Sequence, residues 1–212
     1  MKRRLLSIFL SLTMILSMVP SVWAADEMQQ GDPAAQETET PAKPAMNGNC
    51  GATEEDHVTW ALTKNTDGTT YTLTISGDGA MADYAVGKAP WHVALSEAAN
   101  RKQINQIELS SGLTRIGDNA FLQASVTDVE IPDTVISIGT NAFWNCNTIQ
   151  TILPASVREL GATAFYGTFV VKVDANSPYF CSEEDGKILY NKDKTTLYQV
   201  SQDCTDNFTI PS

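Results

Sequence analysis

The sequence predicts a β-rich α/β solenoid: a right-handed coil with a period of about 22 residues, preceded by a hairpin and a helix and interrupted near its C-terminus by an inserted hairpin. Two observations predict it. Nearly the same six residues recur at a fixed spacing, and the apolar positions upstream of them keep that spacing. The copies read IGDNAF at 116–121, IGTNAF at 138–143 and LGATAF at 160–165.

The chain opens with an export signal. Lys2, Arg3 and Arg4 form a basic region, and residues 5–19 form an apolar run that is short for a membrane-spanning helix of ~20 residues. Small residues at 22 and 24 suit signal peptidase. We therefore predict a signal peptide at 1–24, a secreted or cell-surface location, and contact with the membrane only through that peptide.

The charge excludes one class of partner. Of the 14 basic residues, three belong to the signal, whereas all 25 acidic residues follow it, so the mature chain carries 11 − 25 = −14. Nucleic-acid binding depends on Lys and Arg that neutralise phosphates. A nucleic-acid partner is therefore not expected.

Residues 25–49 are predicted to be a disordered linker. They contain three prolines and no aromatic or β-branched aliphatic residue, so they bury too little apolar surface to offset their ordering entropy. Residues 50–103 are predicted to cap the repeats. There, Thr59–Thr63 and Tyr71–Ser76 alternate apolar and polar residues on either side of an Asp-Gly turn, which indicates a hairpin, and Val93–Lys102 are predicted to form a short helix.

The repeat itself contains a strand and a turn. The pattern Ile104-x-x-Ile107-x-Leu109 recurs one repeat later, starting at Val126, which indicates a short strand with one apolar face. The repeated Gly is expected at a positive φ in a sharp turn, and Asp118 or Thr140 is expected to cap a brief helical turn. The repeated Phe is expected to fill the centre of each coil (the name used here for one copy of the repeat).

The third strand is predicted to be irregular. Ile149 comes six positions after Phe143, whereas Val126 comes five positions after Phe121. The segment IQTILP is also one residue shorter than VTDVEIP. The two slips cancel. This reading places Ile152 in the core and Thr151 on the outer face.

These motifs resemble the BspA-type leucine-rich repeats of bacterial surface and secreted proteins. The resemblance covers roughly 50–212, since CGATEEDHVTW…PW resembles the segment that precedes such repeats and VDANSPYFCSEEDGKILY resembles an insertion that interrupts them. It implies leucine-rich repeats at 104–212 with a hairpin insertion at about 175–206, formed by Lys187–Tyr190 and Thr196–Val200. It also implies adhesion to host or neighbouring-cell proteins.

The C-terminal end is predicted to be incomplete. Phe208–Ile210 begin another repeat strand, but the Ile-Gly and Ala-Phe turn does not follow. Either a terminal coil is missing or the polypeptide is a fragment of a longer one. An unpaired edge invites pairing with another chain, so weak self-association through this end is expected.

Catalytic, cofactor and metal chemistry are not expected. The two histidines, His57 and His92, lie in no recognisable motif with a cysteine nucleophile. Cys50 and His57 supply at most two of the three or four ligands that zinc requires. The loop from Asp174 lacks the glycine of a calcium-binding EF-hand.

Four cysteines in an exported chain raise the question of disulfides. Cys181 and Cys204 flank the insertion hairpin, so pairing them would close its base. This pairing is preferred to the others that Cys50 and Cys146 allow, while four free thiols remain an alternative.

Two surfaces are candidate partner-binding sites. The first is the outer face of the strands: Asn105, Gln106, Glu108, Thr127, Asp128, Glu130, Gln150, Thr151 and Lys172. The second is the position after each repeated Phe: Leu122, Trp144 and Tyr166. The second row is either a binding ridge or, as we favour, packing between coils.

The sequence therefore predicts a non-enzymatic secreted or surface-displayed protein that binds an extracellular protein or glycan. A recognition region of a larger secreted enzyme and a purely structural spacer are the alternatives.

Overall fold

The computed structural model describes residues 46–95, 98–146, 150–167 and 170–201, together with Cys204. The predicted signal peptide at 1–24, the predicted linker up to residue 45, and the predicted edge at 208–210 with its self-association lie outside the described residues.

The described residues form twelve strands in three sheets. Numbered β1 to β12 in chain order, the strands are Asn47–Asn49, His57–Lys64, Tyr71–Ala80, Ile104–Leu109, Gly112–Ile116, Ser137–Ile138, Gln150–Leu153, Glu159–Leu160, Val170–Val173, Phe180–Glu183, Ile188–Asn191 and Leu197–Val200. The largest sheet has the order β1-β2-β3-β5-β6-β8, with β4 also paired to β3, and the others are β7-β9 and β10-β11-β12. Helix α1 spans Pro90–Ala94, and 3-10 helices span Ala98–Gln103 and Glu184–Gly186.

The predicted N-terminal hairpin is confirmed. β2 and β3 pair antiparallel with Lys64 opposite Tyr71. In the turn, Gly68 has a φ of 69°, and the Asp67 carboxylate accepts a hydrogen bond from the backbone N–H of Thr70 (2.9 Å). The first half of β3 then runs parallel to β4, and its end runs parallel to β5. The hairpin thus supplies a neighbouring strand to both strands of the first coil.

The fold begins before the predicted linker boundary at residue 49. β1, Asn47–Asn49, pairs antiparallel with β2. Met46 packs partly buried against the core, and its carbonyl accepts a hydrogen bond from the backbone N–H of Leu62 (2.7 Å). Composition alone did not predict a strand in this glycine- and asparagine-rich segment. It joins the sheet because the edge of β2 is available for backbone pairing.

The single helix predicted for 93–102 is wrong. The chain forms the short α1 and then, beyond the undescribed residues 96 and 97, a 3-10 helix that leads into β4. Pro90 starts α1, where its missing N–H costs nothing. The carbonyl of Leu95 accepts the side-chain amide of Asn100 (2.7 Å), which takes the place of a continuing helical hydrogen bond.

The repeated glycines serve a different purpose from the predicted one. Positive φ values occur two residues later, at Asn119, Asn141 and Thr163 (55°, 52° and 54°). At Gly139, a Cβ would lie 2.6 Å from the backbone nitrogen of Asp118 in the preceding coil. The glycines are therefore needed because adjacent coils approach too closely for a side chain.

The predicted brief helical turn is also not formed. The positive φ of Asn141 is not helical, and although Trp144 donates back to Asn141 within its own turn (3.0 Å), other N–H groups bond to the next coil. The N–H of Phe121 donates to the carbonyl of Ala142, and the N–H of Phe143 donates to that of Ala164, both at 2.8 Å. Asp118 does not cap its own turn; its carboxylate accepts the N–H of Thr140 in the next coil (2.8 Å).

The repeated phenylalanines stack through the centre of the coils, as predicted. The ring centroids of Phe121 and Phe143 are 5.2 Å apart, and those of Phe143 and Phe165 are 5.4 Å apart. Trp91 of α1 extends the stack, 6.0 Å from Phe121, and its indole N–H donates to the carbonyl of Ala120 (2.8 Å). The four rings belong to one buried apolar cluster that also includes side chains of the N-terminal hairpin.

The predicted insertion hairpin is confirmed and gains a strand. β11 and β12 pair antiparallel around a turn in which Lys194 has a φ of 58°. β10, Phe180–Glu183, pairs antiparallel with the other side of β11. Phe180 and Leu189 join the main apolar cluster, so the insertion packs on the repeats.

Phe143→Ala is expected to lower the free energy of unfolding by about 3–5 kcal/mol, because the ring is 1% exposed and contacts the rings of both neighbouring coils. Tyr166→Ala is a matched aromatic control: its ring is 55% exposed and stacks on one neighbour, so a loss of about 0.5–1.5 kcal/mol is expected. Urea denaturation measures both, and equal midpoints would contradict the assigned core.

Candidate binding groove

A groove of about 1030 Å³ is lined by four successive segments of the chain: strands β4, β7 and β9, and residues 126–131, which form a single β-bridge and not the predicted strand. Residues 126–131 join β7 through a parallel bridge between Asp128 and Gln150, and β7 is parallel to β9. Parallel strands place the same repeat position side by side. The segments therefore present rows of side chains that run across the strands.

The structure brings most of the predicted outer-face residues together. Those that line the groove and are exposed are Gln106, Glu108, Asp128, Glu130, Gln150 and Lys172. Asn105 and Thr127 are exposed but are not part of its lining. The carboxamide oxygen of Asn105 instead accepts a hydrogen bond from the side chain of Asn65 (2.9 Å). Their predicted role in partner binding remains a prediction.

Thr151 was wrongly assigned to the outer face. Its side chain is buried, at 6% exposure, and its hydroxyl donates to the carbonyl of Val129 (2.7 Å). Thr151 stands one full repeat after Val129 and lies opposite Val171 in β9. The strand therefore keeps the register of the repeat without the predicted slip. A threonine fits this core position because its hydroxyl finds a backbone acceptor.

The same register moves Ile152 from the core to the groove. Its side chain is 60% exposed and lies opposite Lys172. Sequence reasoning missed it because an isoleucine followed by a leucine was read as two core positions. The signal was present, since Ile152 stands one full repeat after Glu130, an outward position. The groove lining also contains residues that were not predicted to face outward, among them Ser111, Asp133, Val170 and Asp174.

The groove is acidic. Its described lining carries five carboxylates against one ammonium: Glu108, Asp128, Glu130, Asp133 and Asp174 against Lys172. The Lys172 ammonium is 2.8 Å from the carboxylate of Asp185 in the insertion. The positive charge of Lys172 is thereby paired with a carboxylate that lies outside the groove lining.

The residues of the second predicted row, Leu122, Trp144 and Tyr166, differ in their exposure. Leu122 is 3% exposed and packs inside. The rings of Trp144 and Tyr166 stack between coils, with centroids 6.3 Å apart and planes 11° apart. Trp144 is half-buried and Tyr166 exposed. Inter-coil packing accounts for the shared faces of these rings, while the outer face of Tyr166 is open.

The cysteines are free thiols, and the preferred Cys181–Cys204 disulfide is not formed. The Cys181 thiol donates instead to the carbonyl of Asn191 (3.4 Å). Burial raises the pKa of Cys50 to about 12 and also raises the pKa of Cys146. Both therefore stay protonated, which makes them poor nucleophiles.

The two histidines differ in exposure. His92 is buried, and desolvation, with the charge of Arg101, lowers its pKa to about 3, so its imidazole is neutral. His57 is exposed, with its ring nitrogen 4.0 Å from Asp78. Among the described residues, no group of three or more His, Cys, Asp or Glu side chains is placed to hold a metal ion. No helix in the described part of the chain is long and apolar enough to cross a membrane.

Residues 96–183 match the family described as "BspA type Leucine rich repeat region (6 copies)". Among solved structures, the chain is similar to a leucine-rich repeat protein from Eubacterium ventriosum, with 23% identity and a TM-score of 0.44 over 79% of this chain and 54% of that one. It is also similar to the pneumococcal vaccine antigen PcpA, with 16% identity and a TM-score of 0.39 over 77% and 60%. The chain thus spans little more than half the length of these proteins. None of the curated proteins matches it significantly.

The assigned register predicts opposite outcomes for two neighbouring substitutions. Thr151→Lys buries an ammonium and is expected to lower the free energy of unfolding by on the order of 4 kcal/mol or more, because the pKa of a buried lysine falls by ~3–5 units. Ile152→Lys lies on the exposed face and is expected to change it by about 0.5 kcal/mol or less. Denaturant titration of the two variants checks this, and the reverse order would restore the slipped register.

Proposed function

We propose, on the premise that residues 96–183 match the BspA-type leucine-rich repeat family, that the protein is a non-enzymatic secreted or surface-displayed protein that binds an extracellular protein or glycan through the groove. The observation that carries the proposal is the groove itself. It combines a volume of about 1030 Å³ with outward side chains contributed by four successive segments of the chain. Adhesion to host or neighbouring-cell proteins is the role that the similarity to BspA-type repeats implies.

Secretion is supported by the N-terminus. A basic region, an apolar run too short to span a bilayer and small residues at the cleavage positions form a signal peptide. Lys2, Arg3 and Arg4 leave with it, so the mature protein is strongly acidic. Such a charge keeps an exported protein soluble and disfavours binding to other acidic surfaces.

A binding role also requires the groove to be held on a rigid frame. We propose that the repeats form a right-handed coil that the N-terminal hairpin and helices cap. Three contacts support the cap: Trp91 stacks on Phe121, the Asp83 carboxylate accepts the backbone N–H of Asp118 (2.8 Å), and the side-chain amide of Asn119 donates to the carbonyl of Tyr84 (2.6 Å). The first two repeat contacts that the coils make with one another, namely the stacking of Phe121 on Phe143 and the hydrogen bond from the N–H of Thr140 to Asp118.

The absence of catalysis is part of the proposal. The buried thiols of Cys50 and Cys146 are held protonated, and the buried imidazole of His92 is held neutral. A nucleophile paired with a base needs partners within hydrogen-bond reach and an accessible reacting atom. None of these three groups offers that access.

The test is a binding screen of the secreted chain against immobilised extracellular-matrix proteins and a glycan array. A groove variant, Asp128→Ala with Glu130→Ala and Gln150→Ala, is compared with Glu54→Ala and Glu55→Ala, two exposed acids remote from the groove. At least one ligand is expected to bind the wild type and the control alike, and to bind the groove variant about tenfold or more weakly, as loss of interface contacts typically gives.

Two results would contradict the proposal. Ligand binding that is unchanged in the groove variant would place recognition on another surface. Binding to none of the probes would favour a structural spacer or the recognition region of a larger secreted enzyme.

A further inference from the structure

The charge of the groove selects among its possible partners, given the proposed function. Lys172, the one basic side chain of the described lining, is held by Asp185 at 2.8 Å. This exposed ion pair offsets part of the positive charge that Lys172 brings to the groove. The carboxylates of Asp128, Glu130 and Asp133 have no such neutralising neighbour among the described ion pairs. The groove therefore presents an uncompensated negative potential.

Repetition makes this charge costly for the fold. Glu108 and Glu130 occupy the same position in successive coils, and Asp128 points into the same groove. Like charges on neighbouring strands destabilise a sheet. The hydroxyl of Thr74 donates to Glu108 (3.1 Å), which orients that carboxylate without neutralising it. A cationic partner would reduce the repulsion between these carboxylates, so its binding would also stabilise the fold.

An apolar contact point interrupts the acidic rows. Ile152 occupies the position that holds Glu108 and Glu130 in earlier coils, and it is 60% exposed. A polar side chain there would leave the core unchanged, since Thr151 and Leu153 are the buried residues of that strand. An exposed branched apolar side chain in a groove that is also lined by carboxylates matches a ligand that carries both charge and apolar surface.

We propose that the groove binds an extended, basic segment of a protein partner, with Lys or Arg side chains beside Asp128 and Glu130 and an apolar side chain on Ile152. Four chain segments ~4.8 Å apart span about 14 Å, which an extended chain advancing ~3.3 Å per residue crosses in about five residues. Alternate side chains of such a segment face the groove. Of about five residues, three therefore face the groove, and the segment needs two basic residues and one apolar residue among them.

Other occupants fit less well. Small-molecule sites are lined mainly by hydrophobic and aromatic side chains, and the described lining residues include no aromatic ring on which a sugar could pack. The carboxylates do not converge on a metal site within the described structure. A second copy of this acidic chain would meet charge repulsion.

The experiment measures binding of the full secreted chain to short synthetic peptides by fluorescence anisotropy. Three peptides share one backbone length: lysines with a central leucine, lysines with a central serine, and glutamates with a central leucine. The lysine–leucine peptide is expected to bind most tightly, and to weaken about tenfold or more as salt rises from about 0.05 to about 0.5 M, because exposed charges are then screened. The glutamate peptide is expected not to bind.

Two variants assign the contacts. Asp128→Asn with Glu130→Gln keeps the shapes and removes the charges; it is expected to weaken both lysine peptides about tenfold. Ile152→Ser is expected to weaken the lysine–leucine peptide several-fold and to leave the lysine–serine peptide unchanged. Glu54→Gln with Glu55→Gln is the control and is expected to bind as the wild type does.

Failure here is distinguishable from failure of the proposed function. If the lysine peptides do not bind, or bind equally to the charge-neutralised variant, the inference is wrong. The proposed function then still stands if a glycan or matrix protein binds the wild type and loses affinity in the alanine groove variant. If that variant also changes nothing, both are wrong.

Discussion

The close approach of adjacent coils is the constraint on which the rest of the structure depends. Gly139 has no room for a Cβ against the backbone of Asp118, and Gly161 has none against Thr140. At that separation the backbone groups of each turn bond directly to the next turn, at 2.8 Å from Phe143 to Ala164. The separation also sets the distance between the stacked rings. The backbone hydrogen bonds between turns and the packing of the core thus both depend on the same separation between coils.

A fixed separation turns the period of the sequence into rows of side chains. Asn141 donates to the side chain of Asn119, and the hydroxyl of Thr163 donates to Asn141, so one polar position continues through three coils. On the strands, the same rule carries Glu108 and Glu130 into one row and places Ile152 next in it. The groove is therefore a consequence of the period, while its chemistry depends on which residue occupies each outward position. That freedom is what a binding surface needs.

The sequence predicted the features that follow from this period. The phenylalanine core, the hairpin around Asp67 and the insertion hairpin all carry strong local signals, and the structure has each of them. The role of the glycines was missed, because contact between coils is not a local property of a turn. The core and outer positions of Thr151 and Ile152 were predicted the wrong way round, because side-chain hydrophobicity was given more weight than the 22-residue period. A threonine can be buried there because its hydroxyl donates to a backbone carbonyl. β1 was missed because a free sheet edge recruits residues of any composition.

The central claim is that hydrogen bonds from each turn to the next hold successive coils in register, and native-state hydrogen exchange tests it most directly. The amides of Phe121 and Phe143, which donate to the carbonyls of Ala142 and Ala164, are expected to exchange only through global unfolding. The amide of Thr69, which donates to the Asp67 side chain in an exposed turn, is expected to exchange by local opening. If the amides of Phe121 and Phe143 exchanged as fast as that of Thr69, the turns would not be bonded to one another and the account would fail.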